Sequence, residues 1–206
     1  MSVTLDEVKK TIARLCDIII DNEVYFCELD SVAGDGDFGM SIAKGFKEVK
    51  RQLDEINDVD IAAFIKGCAL IITEHCGGAS GPIWGSGFRA AAKSVQGKET
   101  MTLDDIAGLF EAAIVGIQKR GGAAQGEKTL LDALIPATEA LRDAAQKDLQ
   151  IKEAFVNAAK SAEKGAEATK NMIASKGRAS YVGDRSLHYP DAGAMAISVI
   201  LREFVS

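Results

Sequence analysis

Three aspartates and three glycines crowd into the stretch Leu29-Asp30-Ser31-Val32-Ala33-Gly34-Asp35-Gly36-Asp37-Phe38-Gly39-Met40-Ser41. Carboxylates this close repel one another and glycine is a poor helix former, so the stretch opposes local stability unless something compensates. A bound cation would do so. Asp30, Asp35 and Asp37 offer hard oxygen ligands of the kind magnesium takes, its remaining positions going to phosphate and water. The competing reading is a solvated acidic turn with glycine caps, and the loop alone leaves both open. Gly34 to Gly39 matches G-x-G-x-x-G, but neither the preceding strand nor the following βαβ unit of a dinucleotide site is present. An EF-hand starting at Asp35 fails too, having Met40 where glycine and Phe46 where glutamate are required.

Other chemistry-bearing residues lie further along. The run Gly121-Gly122-Ala123-Ala124-Gln125-Gly126-Glu127-Lys128-Thr129 resembles a P-loop, but Glu127 interrupts the pattern and no strand leads into it. Its glycines, the Gly77-Gly78 turn and the Ser80 hydroxyl could present donors to phosphate at helix N-termini, or could be plain C-caps. In Lys176 to Asp191, Arg178 and Arg185 suit an anion, or a salt bridge with Asp184 or Asp191. His188 is a candidate phosphate contact, whereas His75 decorates a helix end and Trp84 reads as core. Cys16, Cys27, Cys68 and Cys76 form no C-x-x-C pair and have no cluster of histidines nearby, which excludes a zinc site or disulfide framework; Cys16 and Cys68 read as buried thiols.

The elements that must position these residues read as helix after helix. Thr4 and Glu7 form a capping box before Leu5, Val8, Ile12, Leu15, Cys16 and Ile19, and this helix ends near Asp21-Asn22. The acidic loop follows, then a helix from Gly39 to Leu53. Ile61, Phe64, Ile65, Cys68, Ala69 and Ile72 make one amphipathic stripe that stops at Gly77-Gly78. Ser80 as cap and Pro82 in the first turn open a helix to Val95. Thr102 caps the next, through Lys119. Further helices run from Thr129 to Gln146 with a kink at Pro136, from Ile151 to Ser175, and from Ala192 to Phe204. No stretch alternates long enough for a sheet, so the expectation is an all-α fold of about eight helices forming one domain over residues 1–206.

Composition limits the function classes. The chain is 47% hydrophobic with a net charge of −6, enough to bury a core and unsuited to nucleic-acid or anionic-membrane surfaces. No run of apolar residues is long enough to span a bilayer, and the N-terminus lacks a signal-peptide pattern, which leads to the expectation of a cytoplasmic protein.

The order of motifs is specific. Leu29-Asp30 with Gly34-Asp35-Gly36-Asp37, then Gly77-Gly78-Ala79-Ser80-Gly81-Pro82, then Gly126-Glu127-Lys128-Thr129 with Asp132, and finally Gly177-Arg178-Ala179-Ser180-Tyr181 through Arg185-Ser186 to Asp191 resemble the nucleotide-binding L subunit of dihydroxyacetone kinases. The resemblance implies a barrel of eight antiparallel amphipathic helices with the nucleotide held in loops at one end. It implies that Asp30, Asp35 and Asp37 ligate two magnesium ions and that these aspartates, with Arg178, carry the catalysis. Phe38, Gly39, Met40, Ser41, Gly78, Ala79, Ser80, Gly121, Thr129, Leu130, Arg178, Asp191, Ala192 and Gly193 would surround ADP. The implied partners are a ketose-binding K subunit and a phosphohistidine donor protein of the phosphotransferase system, and a homodimer is a further expectation. ATP-dependent ketose phosphorylation and a non-catalytic nucleotide-sensing role are the alternatives. Two departures stand out: the family commonly has histidine at Phe38, and Asp-Pro-Gly where this chain has Asp191-Ala192-Gly193.

Overall fold

The computed structural model describes residues 2–206. It is all-α apart from one antiparallel pair of two-residue strands, β1 (Val3–Thr4) and β2 (Thr100–Met101), which joins the first helix to a later connection. Among the described residues nine α-helices follow in order: α1 (Leu5–Asp21), α2 (Glu23–Ser31), α3 (Phe38–Arg51), α4 (Ile61–His75), α5 (Ser80–Ser94), α6 (Leu103–Gly121), α7 (Leu131–Gln146), α8 (Ile151–Ala168) and α9 (Ala192–Val205).

Local chemistry starts most of them. Thr4 with Glu7 and Thr102 with Asp105 form complete capping boxes on α1 and α6, and Asp60 caps α4 through the Ala63 N–H at 2.6 Å. Each helix from α3 to α8 packs on its successor, and α9 packs on α1. Contacts of Arg178 with Asp35, of Gly77 with Ser41 and of Ser175 with Glu127 collect the connections Val32 to Asp37, Cys76 to Ala79, Gly122 to Leu130 and Thr169 to Asp191 at one end. Phe26, Phe46, Phe64, Ile18, Ile42 and Leu141 are among the fully buried side chains of the interior. Within it lies an apolar cavity of about 300 Å³ lined by residues such as Leu15, Trp84, Ile117 and Phe155. Trp84 is core, set edge-on against Phe46 with ring centroids 5.8 Å apart.

The structure departs from the sequence reading in five places. The acidic stretch does not directly follow α1: α2 intervenes and carries Asp30 on its last turn. Ser80 is the first residue of α5 rather than its cap, because Ala79 holds the boundary position and makes no side-chain cap bond. The sixth expected helix begins at Leu131, not Thr129, and continues through Pro136. Proline has no N–H, so the Asp132 carbonyl loses its helical partner. The long seventh expected helix stops at Ala168, and residues to Asn171 make a 3₁₀ turn. Finally, the segment expected as loop after Lys176 winds into 3₁₀ turns over Arg178–Ser186, broken at Gly183.

Candidate nucleotide and metal site

The acidic stretch folds back on itself. After α2, the Gly34 N–H returns to the Asp30 carbonyl at 2.6 Å, and the Gly36 N–H donates to Asp30 Oδ2 at 2.9 Å. This wraps the loop around the Asp30 carboxylate so tightly that a Cβ on Gly34 would lie 2.2 Å from Asp30 Oδ1 and would push the carboxylate aside. Carboxylate oxygens of Asp30, Asp35 and Asp37 end within 4.8 Å of one another. Burial pushes the Asp30 carboxyl above the usual aspartate range, the N–H groups of Phe38 and Gly36 oppose that, and the charges of Asp35 and Asp37 add to it. Three hard oxygen donors converge with more negative charge than their surroundings neutralise. The donor set fits a magnesium ion, whose bonding is to oxygen.

One cation already faces the triad. Arg178 Nε lies 2.7 Å from Asp35 Oδ2, so the last loop reaches across to the first. Arg178 thus pairs with neither Asp184 nor Asp191, the partners its sequence neighbourhood offered.

The other expected residues assemble around this point. Phe38 to Ser41 form the first turn of α3, whose boundary residue Asp37 makes no side-chain cap bond. The Gly77 N–H donates to the Ser41 carbonyl at 3.1 Å, which brings the turn with Gly78, Ala79 and Ser80 alongside. Gly121, at the end of α6, sits where a Cβ would be 2.9 Å from Ile83 in the first turn of α5. A Cβ on Gly193 would lie 3.2 Å from Leu130, so the starts of α9 and α7 touch. Thr129 orders its own turn, its N–H donating to Asp132 Oδ2 at 2.7 Å and its hydroxyl accepting from the Leu131 N–H at 3.2 Å. Asp191 is the N-cap of α9, accepting from the Ala194 N–H at 2.8 Å. Its carboxyl is pushed up to about 7 by burial, against the pull of the Ala194 and Gly193 N–H groups and of Lys128.

This leaves α3 and α5 opening at one end with boundary residues, Asp37 and Ala79, that make no side-chain cap bond, whereas the first-turn N–H groups of α7 are taken by Thr129 and Leu130. First-turn N–H groups have no partner within a helix, and the helix dipole favours negative charge beside them. Uncapped N-termini next to a carboxylate triad and an arginine can receive the phosphates of a metal-bound nucleotide.

A family model described as the DAK2 domain matches residues 32–206. The chain belongs to the DAK2 family. Among curated relatives of this DAK2 chain, the "PEP-dependent dihydroxyacetone kinase, ADP-binding subunit DhaL" of Escherichia coli strain K12 is 34% identical over 98% of this chain and 96% of its own. The corresponding subunit of "dihydroxyacetone kinase 2" from Listeria innocua serovar 6a is 39% identical over 86% and 84%, and the "PTS-dependent" one from Lactococcus lactis is 34% identical over 94% and 93%. The fold is shared with the dihydroxyacetone kinase of C. freundii solved with AMP-PNP and Mg2+, at a TM-score of 0.77 and 24% identity. All of this chain aligns there, against 34% of that one. No helix of the described residues is long and apolar enough to cross a membrane.

Some residues that shape the site were quoted in the sequence motifs without a role, or not at all. Asp132, buried in the first turn of α7, also accepts from the Gly126 N–H at 2.5 Å and so holds both ends of the Gly126–Thr129 turn. The Cys27 thiol accepts from the Met40 N–H at 3.3 Å. Lys128 and Ser186 are buried despite lying in connections. Beyond the motif order, the sequence signal for Asp132 is its place three residues after Thr129, a spacing typical of helix starts. His188 sits at a positive φ of 71° with its N–H on the Lys170 carbonyl, and so serves the backbone of the last loop.

Proposed function

We propose that this chain is the ADP- and magnesium-holding subunit of a dihydroxyacetone kinase. In this reading it passes a phosphoryl group, through its bound nucleotide, from a phosphohistidine donor protein to dihydroxyacetone or a related small ketose on a separate K subunit. The observation that carries it is the meeting of Asp30, Asp35 and Asp37 within 4.8 Å, with Arg178 on Asp35, at the end where α3 and α5 begin without a side-chain cap bond from Asp37 or Ala79. The printed names of the relatives support the substrate and donor classes.

Phosphoryl transfer needs positioning and charge neutralisation more than covalent help. Asp30, Asp35 and Asp37 would hold two magnesium ions. Magnesium supplies Lewis-acid neutralisation of phosphate oxygens. Arg178, permanently charged and planar, offers bidentate bonds to the transferring group once Asp35 turns to metal. The first turn of α5 supplies N–H donors to the remaining phosphates, while Phe38 to Ser41, Gly121 and Asp191 to Gly193 wall the nucleotide. None of these residues acts as a nucleophile, and the ketose site belongs to the partner.

The test pairs calorimetry with turnover. Purified chain should bind ADP only with magnesium present, and with a K subunit it should phosphorylate dihydroxyacetone using phosphorylated donor protein and not ATP alone. Absence of magnesium-dependent ADP binding sinks the proposal. Turnover with ATP alone moves the chain to the ATP-dependent class, and binding without turnover from either donor leaves a nucleotide-sensing role.

A further inference from the structure

Lys128 is a fully buried lysine in a connecting segment, only 2% exposed and held at a positive φ of 59°. Its ammonium donates to three backbone carbonyls, those of Thr169 at 2.7 Å, Met172 at 3.1 Å and Tyr189 at 2.7 Å. An ammonium has three donors and no acceptor capacity, so all of its hydrogen-bonding is spent on these oxygens. Two of the acceptors lie just before the last loop and the third just after it.

The surrounding bonds serve the same closure. The Asp191 N–H donates to Thr169 Oγ1 at 2.9 Å, and the His188 N–H to the Lys170 carbonyl at 2.8 Å. Inside the loop, the Ala174 N–H donates to the buried Ser186 hydroxyl at 3.0 Å. Beyond this base the chain runs out to Arg178, which is largely exposed and meets Asp35. With its anchor points fixed, the loop has few ways to leave the triad. Burial lowers the Lys128 pKa from the usual lysine value, and the Asp191 carboxylate works against that.

We propose that Lys128 is a positioning residue: it clasps the two ends of the 173–188 segment together so that Arg178 is presented to the aspartate triad. Its ammonium is spent on the Thr169, Met172 and Tyr189 carbonyls and not on the triad. The effect on ligand binding rests on the nucleotide reading of the site, but the clasp itself can be measured without nucleotide.

The experiment uses the full chain and Lys128→Met, an uncharged residue of similar length. Without ligand, hydrogen exchange over residues 173–188 and trypsin cleavage after Arg178 and Arg185 should rise at least about tenfold, with exchange in α3 to α6 unchanged. By calorimetry with magnesium and ADP, Lys128→Met and Arg178→Ala should each weaken binding by about tenfold, and the double variant no more than Arg178→Ala alone, as coupled residues behave. Additive losses would show a merely structural role and overturn the proposal, as would unchanged protection of 173–188. A parent chain that binds no ADP overturns Lys128's part in binding together with the nucleotide reading, while the exchange data still decide the clasp. Should Lys128→Met not fold, Lys128→Gln keeps two N–H donors and should show the same pattern at smaller amplitude.

Discussion

Removing one charge from the acidic loop should stabilise the metal-free protein, and which aspartate is removed decides by how much. The three carboxylates come within 4.8 Å of one another. At that separation two unit charges repel by about 0.9 kcal/mol in water and about 3.5 kcal/mol at an effective dielectric of 20. Asp37 is half-buried, and its removal relieves repulsion with both Asp30 and Asp35. After solvent screening, Asp37→Asn should gain about 1–2 kcal/mol, or roughly 2–8 °C in Tm for a chain of this size. Asp35→Asn relieves a similar repulsion but strips Arg178 of its 2.7 Å partner. Those contributions should nearly cancel, leaving Tm within about 2 °C of the parent. The assay is thermal unfolding in chelator at low salt, repeated with millimolar magnesium and ADP. Asp37→Asn should melt highest in chelator, and only the parent should rise on adding magnesium and ADP. Physiological salt should shrink the gap, since the Debye length is then about 8 Å. If Asp37→Asn melts below the parent in chelator, or keeps the parent's rise with magnesium and ADP, the loop is a structural turn and the repulsion argument fails.

Three further outcomes are expected. Gly34→Ala places a Cβ 2.2 Å from Asp30 Oδ1 and must displace that carboxylate, so magnesium-dependent ADP binding by calorimetry should be lost while far-ultraviolet circular dichroism keeps the parent's helicity. Asp191 carries a folded-state pKa raised to about 7 by burial, so between the unfolded value and about 7 the folded chain holds a proton that the unfolded chain has lost, and stability falls as pH rises through that window. Asp191→Asn, an equally good cap, should therefore match the parent's Tm near pH 4 and exceed it at pH 8; a Tm difference that does not grow with pH would refute the assignment. Phe38→His should cost about 1–2 kcal/mol of stability in denaturant titration and leave the affinity for magnesium and ADP within about twofold, because the ring serves packing.

What could be read from the sequence was what is local. Thr4 with Glu7, and Thr102 with Asp105, form their caps within four residues, and α1, α4 and α6 start where their side chains direct. The site loops were legible because glycine and aspartate disrupt helices wherever they cluster, and the order of these clusters carried the resemblance. Helix α2 was hidden by its exposure: of Glu23 to Ser31 only Phe26 is buried, and Val24 and Tyr25 face solvent, so there is no stripe to detect. The end of α8 was equally invisible. Alanine-rich sequence favours continuing the helix past Ala168, but the carbonyls of Thr169 and Met172 turn instead toward Lys128, more than forty residues earlier in the chain. The Arg178 to Asp35 pair likewise links the last loop to the first, and no spacing within either loop specifies it.

Phe38 shows how a departure from a motif can leave its chemistry in place. It adjoins Asp37, where a histidine would add a polar group near the triad, and on sequence alone its replacement removes that group. Its ring, however, is partly buried against the core, with its centroid 6.2 Å from that of Phe26 on α2. The contact ties the helix that carries Asp30 to the helix that begins beside Asp37. What Phe38 gives the triad is its backbone: its N–H helps hold the Asp30 carboxylate, and every residue except proline offers that group. The three carboxylates, the glycine that admits Asp30 and the arginine opposite are independent of the side chain at position 38. An aromatic residue there strengthens the junction between two short elements, and the polar inventory of the site stays with the aspartates, the helix N-termini and Arg178.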